Sequence, residues 1–265
     1  MADGPIIALE DVRKSYDRGR SFAVDSANLG VIRGEFVAVV GQSGSGKTTL
    51  LKMINRLTEV GSGSVSVEGQ SVKIGAPSEL RRKIGYVFQG VGLFPHMTIG
   101  ENIAITPRLL GWAEPDIAPR IVALLDMVGL SRDYVNRFPN ALPGGERQRV
   151  GFARALAARP QIVLMDEPFG ALDPITRDIL GQTYRALHDQ LHLTTLMVTH
   201  DITEALLLAD RIVVMDKGHI VADAAPGSLM AGHPDSVVKM LMSTPRRQAE
   251  RLSALLASKG GGPHG

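Results

Sequence analysis

The chain has 265 residues, enough for one large or two small domains, and its 44% hydrophobic and 21% charged content is that of a globular protein with a core of useful size. A net charge of +2 gives no reason to expect nucleic acid or an anionic membrane as partner, and the absence of cysteine excludes a disulfide framework and thiolate metal sites. No apolar run reaches the ~20 residues that span a bilayer, and Met1-Ala2-Asp3-Gly4-Pro5 has neither the basic nor the apolar region of a signal peptide.

In chain order, Ile6-Ile7-Ala8-Leu9-Glu10 reads as a first strand, followed by Val12-Arg13-Lys14-Ser15-Tyr16 and a polar turn at Asp17-Arg18-Gly19-Arg20. Phe22-Ala23-Val24 and Ala27-Asn28-Leu29-Gly30-Val31 read as further short antiparallel strands. Phe36-Val37-Ala38-Val39-Val40 is a β-branched run of the kind buried in a parallel sheet, and Leu50-Leu51-Lys52-Met53-Ile54 belongs to a helix. Alternation from Val65 to Val67 ahead of Gly69-Gln70 signals a hairpin, and Ile84–Phe88 is a buried strand ending at Gln89.

Between about residues 90 and 160 the strand-like runs stop. Glu101–Ile105 leads to an expected break at Pro107; Asp116 to Val128 is an amphipathic helix closed by Gly129, and Glu146 to Ala158 is another. This stretch is expected to be a mainly helical subdomain inserted between strands. The sheet resumes with Ile162–Met165 and Thr194–Thr199, separated by a helix from Arg177 to Leu191. A helix from Ile202 to Ala209 precedes a hairpin of Arg211–Met215 and His219–Ala222 about Asp216-Lys217-Gly218. After Pro234 come two short helical patterns and a Gly260-Gly261-Gly262-Pro263 ending expected to be disordered.

Chemistry enters at Gly41-Gln42-Ser43-Gly44-Ser45-Gly46-Lys47-Thr48-Thr49, which matches the phosphate-loop pattern with a strand before it and a helix after. Glycines let backbone amides close on phosphate oxygens, the helix start adds partial positive charge, Lys47 offers a cation to the β- and γ-phosphates, and the Thr48 hydroxyl can ligate Mg²⁺. Asp166 and Glu167 close an apolar strand: Asp166 can assist Mg²⁺ and Glu167 can polarise a water. Ligands of parallel sheets sit beyond the carboxyl ends of strands, so both features are expected in one crevice.

Leu142-Pro143-Gly144-Gly145-Glu146 opens a helix with bare amides facing outward. It reads as an ordinary cap or as half of an anion clamp; in the second case it faces another copy's nucleotide, giving a nucleotide sandwiched between two copies. Four further residues carry open alternatives. His200 ends a strand, as a structural residue or as a contact to a γ-phosphate; Gln89 is placed to sense Mg²⁺ or water. Asp173 is a helix cap ahead of Pro174, a residue crossing to the other copy, or both. Tyr16 stacks on a base or simply packs.

These residues resemble, in family order, an ATP-binding cassette (ABC) transporter ATPase. Tyr16 matches the adenine-stacking aromatic, Gly41–Thr49 Walker A, Gln89 the Q-loop, Leu142–Glu146 the signature, Ile162–Glu167 Walker B, Ala171–Asp173 the D-loop and His200 the switch histidine. The resemblance implies an α/β phosphate-loop NTPase core with a mainly parallel sheet, an N-terminal antiparallel β-subdomain and the inserted helical subdomain. It implies a cassette over residues 1–232 and a short helical tail over 233–265. It also implies ATP and Mg²⁺ (the latter on Thr48, Gln89 and Asp166), with Glu167, His200, Lys47 and Gln89 catalytic. The partners implied are a second copy, a multispan permease on whose cytoplasmic face the chain sits, and indirectly an extracytoplasmic solute-binding protein; no nucleic acid is expected.

The stretch Arg81–Ile103, with Asn55–Glu59 and Thr106–Trp112, looks like the importer branch for quaternary amines and other osmoprotectants. Leu93, Phe94 and Met97 are candidate permease contacts or plain subdomain core. The residues after Pro234 are too few for the regulatory domain that many of that branch carry. One departure stands out: the family signature reads Leu-Ser-Gly-Gly-Gln, and this chain has Pro143 and Glu146, which predicts a weakened clamp. Rival readings are a soluble ABC ATPase of DNA repair or translation, a phosphate-loop kinase or GTPase, and a largely non-hydrolysing cassette paired with an active partner.

Overall fold

Two antiparallel strands open the computed structural model, which describes residues 4–90 and 92–259. Met1-Ala2-Asp3 and the Gly260–Pro263 ending lie outside the described residues. β1 (Ile7–Lys14) and β2 (Val24–Val31) are each one strand where the sequence reads as two. Asp11 at φ 45° and Ser26 at φ 50° bulge the pair, and the pairing resumes beyond them.

β3 (Phe36–Val40) is buried along its whole length. Phe36, Ala38 and Val40 face one core cluster and Val37 and Val39 the other, the two-residue period of a strand covered on both sides. α1 (Lys47–Ile54), β4 (Ser62–Val67), β5 (Gln70–Ser71), α2 (Pro77–Lys83) and β6 (Ile84–Val87) follow. Glu68 and Gly69, both at positive φ, make the expected hairpin turn between β4 and β5.

The inserted region holds α3 (Ile99–Leu109), α4 (Glu114–Met127) and α5 (Gly144–Leu156). Thr98 and Glu101 form a capping box at the start of α3. That helix does not break at Pro107 but runs on to Leu109, giving up only the one hydrogen bond that the residue's own nitrogen would have donated. α4 closes as expected at Gly129, with Leu130 N–H on the Leu125 carbonyl at 2.8 Å.

β7 (Ile162–Asp166), α6 (Pro174–Leu191), β8 (Thr194–Val198), α7 (Ile202–Leu208), β9 (Arg211–Asp216) and β10 (His219–Ala224) complete the core, and α8 (Pro226–Ala231) and α9 (Ser236–Lys259) end it. α9 is a single helix through Pro245 where the sequence shows two patterns; Val238 and Met242 on its first turns are buried in the main cluster.

β2-β1-β4-β5 form one antiparallel sheet, and β10-β9-β3-β8-β7-β6 form a second that is parallel except at β10. The first sheet and α1 cover one face of the second, and the remaining large helices cover the other. Among the described residues no helix is long and apolar enough to cross a membrane.

Candidate nucleotide-binding site

The carboxyl ends of β3, β8, β7 and β6 lie side by side, so the segments that follow them meet at one edge of the sheet. After β3 comes the phosphate loop. Gly46 caps α1 at φ 104°, and a Cβ there would lie 2.0 Å from the Ala23 carbonyl oxygen; only glycine fits so close an approach. Gln42 and Ser43 are exposed at the tip, Gly41 is buried at its base, and the Ser45 carbonyl is held by Gly218 N–H at 3.1 Å.

Lys47 is buried beneath the loop, its Nζ donating to the Gly41 and Gln42 carbonyls at 2.9 Å each. Burial pushes its pKa down, against the pull of Glu167 and Asp166. Ser45 Oγ is buried with no hydrogen-bond partner among the described residues. The arrangement is a cation and an orphaned hydroxyl behind a ring of backbone, which suits a polyphosphate.

Thr48 Oγ1 donates to Asp166 Oδ1 at 2.9 Å, bringing the two expected Mg²⁺ ligands into contact; hard oxygen donors of this kind suit that ion. Gln89, the third, donates its amide to Glu167 Oε2 at 2.9 Å. His200 Nδ1 stands 3.4 Å from the same oxygen. Glu167 adopts φ 46°, with its N–H on the Val198 carbonyl at 2.8 Å. A left-handed non-glycine costs on the order of 1 kcal/mol and is held here by the flanking strand. Tyr86, which the sequence reading passed over, places a buried hydroxyl beneath Asp166; burial first, then that carboxylate, raises its pKa.

Tyr16 is exposed, with its hydroxyl 3.4 Å from Thr49 Oγ1 and Lys14 Nζ 5.3 Å from its ring centre. The adjoining turn is fixed by Asp17, which accepts from Ser21 and Ser15 and whose pKa those bonds lower to about 2.

Pro143 occupies the cap position of α5 and offers no side-chain cap; its carbonyl accepts from Arg147 N–H at 3.0 Å. The amides of Gly144 and Gly145 therefore begin the helix without intrahelical acceptors. Gly145 packs on α6: a Cβ there would come within 2.6 Å of Thr176 Cγ2. Glu146 accepts from the Tyr134 hydroxyl at 3.2 Å, which turns its carboxylate toward its own subdomain. Asp173 caps α6 through bonds from Ile175 and Thr176 N–H at 3.1 and 3.0 Å, and the Thr176 side chain first, then these backbone bonds, lower its pKa. Among the described residues no hydrogen bond or ion pair joins Pro143–Glu146 to the phosphate loop of the same chain. A groove of about 460 Å³ lies between Gly144 and Arg147 of α5 and the segment carrying Glu167 and Leu172.

The segment after Gln89 is organised by Asn102, another residue missed in sequence. Fully buried, it accepts from Phe94 N–H and donates to the Phe94, Met97 and Thr98 carbonyls. Arg154 of α5 donates to the Gly92 carbonyl at 2.7 Å. Phe94 is exposed while Leu93 and Met97 are half-buried, and a groove of about 270 Å³ opens between Phe94, Phe88, Leu57 and Arg81.

Fold and site together define a phosphate-loop nucleotide-binding protein with an inserted helical subdomain. The family model described as ABC transporter matches residues 24–170. The choline transport ATP-binding protein OpuBA of Bacillus subtilis is 47% identical over 241 residues, 91% of this chain and 63% of that protein. The glycine betaine uptake system ATP-binding protein YehX of Escherichia coli is 46% identical over 83% of this chain and 72% of its own length. The ATP-binding cassette MJ0796, solved as a dimer in a post-hydrolysis state with ADP and Pi, superposes with a TM-score of 0.75 at 33% identity, covering 83% of this chain and 98% of that one. The chain belongs to the ABC transporter family, and it spans about 63% of the length of the OpuBA relative.

Proposed function

We propose that the chain is the ATP-hydrolysing subunit of an importer for a small osmoprotectant such as a quaternary amine, working from the cytoplasmic face of the membrane on a separate permease. The observation that carries the hydrolytic part is the gathering of Lys47, Thr48, Asp166, Glu167, Gln89 and His200 at neighbouring strand ends, joined by the contacts Thr48–Asp166 and Gln89–Glu167–His200. The solute class is supported by relatives named for choline and glycine betaine transport.

Two copies face each other, so that the Gly144 and Gly145 amides of one meet the triphosphate held by the phosphate loop of the other. Tyr16 stacks on the base and Lys47 steadies the phosphates. Thr48, Asp166 and Gln89 would hold Mg²⁺, which when bound supplies charge neutralisation at the phosphate oxygens. Glu167 orients the attacking water, and His200 and Lys47 stabilise the developing charge. Loss of the shared γ-phosphate lets the copies part. Gln89 passes this movement through the Asn102-pinned segment to a permease helix lying in the groove at Phe94. Residues 1–232 act as the cassette and the tail beyond as an appendage. A solute-binding protein feeds the permease from the other side.

The test is co-purification with the permease, followed by a solute-stimulated ATPase screen in vesicles; stimulation by a quaternary amine is expected, and solute-independent turnover with no permease recovered overturns the reading. A second reading, a weakly hydrolysing cassette beside an active partner, is favoured by Pro143 and Glu146. Phosphate release by the pure chain separates the two.

A further inference from the structure

Next to the site lies a half-buried ion pair for which the chemistry above has no use. Glu204 on α7 is only 7% exposed and accepts from Thr199 Oγ1 at 2.6 Å. Arg177 Nε stands 3.6 Å from its other oxygen. The same guanidinium donates to Asp201 Oδ2 at 2.9 Å and to the Leu172 carbonyl at 3.1 Å. Asp201 N–H returns to Thr199 Oγ1 at 3.0 Å. His200 is thus flanked on both sides by residues tied to Arg177 and Glu204, and the third arm of the fork grips the residue just before Asp173.

We propose that Arg177 and Glu204 are positioning residues, fixing the imidazole of His200 against Glu167 according to where the Ala171–Asp173 loop sits. The proposal rests on the ATPase reading for its use, though not for its geometry. The side chain of His200 is 59% exposed, so packing around the ring does not set its orientation; its backbone neighbours do. An ion pair whose carboxylate is buried adds little net stability, since desolvation offsets much of the attraction, and its presence here fits a demand for one defined geometry. The planar fork of arginine is what reaches a carbonyl and two carboxylates together; lysine, a point charge, cannot. Burial raises the pKa of Glu204, reinforced by Asp201 and opposed first by the Thr199 hydrogen bond and then by Arg177 and His200, so removing Arg177 takes away the neighbouring guanidinium.

The experiment uses the full chain with Arg177→Met, Arg177→Lys and Glu204→Gln. The imidazole resonances of His200, assigned with His200→Gln, are recorded without nucleotide; kcat, KM and ATP affinity are measured in parallel. The expected result is displaced His200 resonances in all three variants and a kcat lowered about tenfold or more with KM and ATP affinity changed by less than about twofold. In a His200→Ala background, Arg177→Met should cost no more than about a further twofold, because the two residues act as one unit. Unmoved His200 resonances, or losses that multiply across the double variant, overturn the proposal. If Arg177→Met does not fold, the near-isosteric Glu204→Gln and charge-conserving Arg177→Lys decide it in the same two ways. A wild-type chain that does not hydrolyse ATP overturns the proposed function, while the resonances still decide the wiring.

Discussion

Gln89 donates its side-chain amide to Glu167 at 2.9 Å, across the gap between the ends of β6 and β7. The residue assigned to orient water is therefore held by the residue that begins the inserted helical region, and by His200 from the next strand. Glu167→Gln keeps the shape and removes the base. Turnover should fall about a hundred- to ten-thousand-fold with ATP affinity retained, and ATP should drive the variant into a stable dimer on size-exclusion chromatography. Ready turnover by this variant would remove Glu167 from its role.

Two glycines of the phosphate loop should respond differently to one added methyl group. At Gly46 a Cβ meets the Ala23 carbonyl oxygen at 2.0 Å, and backbone cannot give way. At Gly44, φ is 80° and the Cβ would meet nothing within 4 Å, so only the left-handed conformation is penalised, at about 1–2 kcal/mol. Gly46→Ala should abolish ATP binding in a titration, whereas Gly44→Ala should retain it at reduced affinity. Equal losses would mean that the close approach to Ala23 does not shape the loop.

The motifs were legible in sequence because phosphate chemistry forces glycines, a lysine and paired acids into short runs. The strand and helix inventory followed from two-residue alternation and buried runs, as at Val37 and Val39. What was not legible depends on partners distant in sequence. Arg177, Glu204 and Thr199 read as unremarkable polar residues until α6, α7 and β8 are packed together, and Tyr86 gains its neighbour Asp166 only through strand pairing. The bulges at Asp11 and Ser26 look like strand ends in sequence because a left-handed non-glycine leaves no compositional mark. Pro107 looks like a break in sequence because proline removes a helical hydrogen bond, and α3 nonetheless continues two residues beyond it.

Below the site, at the opposite ends of the strands, His188 is buried against Phe36, with Nδ1 3.0 Å from Thr195 Oγ1, which also meets the Tyr184 hydroxyl at 2.8 Å. Burial lowers its pKa from the ordinary 6.5, reinforced by Arg185 and opposed by Asp189, Asp210 and a backbone bond to Gly34. Between the lowered value and 6.5 the unfolded chain binds more protons than the folded one, so this residue's contribution to stability falls as pH drops through that window. Urea midpoints at pH 7.5 and 5.5 should show a decline on acidification that His188→Gln reduces. An unchanged slope in that variant would assign the acid sensitivity to other groups.

The signature helix offers the last prediction. Pro143 caps α5 without a side-chain bond, and Glu146 is engaged by Tyr134. Serine at 143 would restore a hydroxyl and an N–H at the helix start, worth about 0.5–2 kcal/mol as a cap alone. Glutamine at 146 can still accept from Tyr134 through its carbonyl oxygen, so the local packing should survive while the negative charge is lost. Pro143→Ser with Glu146→Gln should therefore leave the urea midpoint unchanged or raised, and should increase both ATPase rate and ATP-driven dimerisation by about ten- to a hundred-fold, the equivalent of one charge-assisted hydrogen bond. If phosphate release and dimerisation stay at the wild-type level, the clamp is not limited by these two residues. The carboxylate turned toward Tyr134 is then the reason Glu146 does no harm.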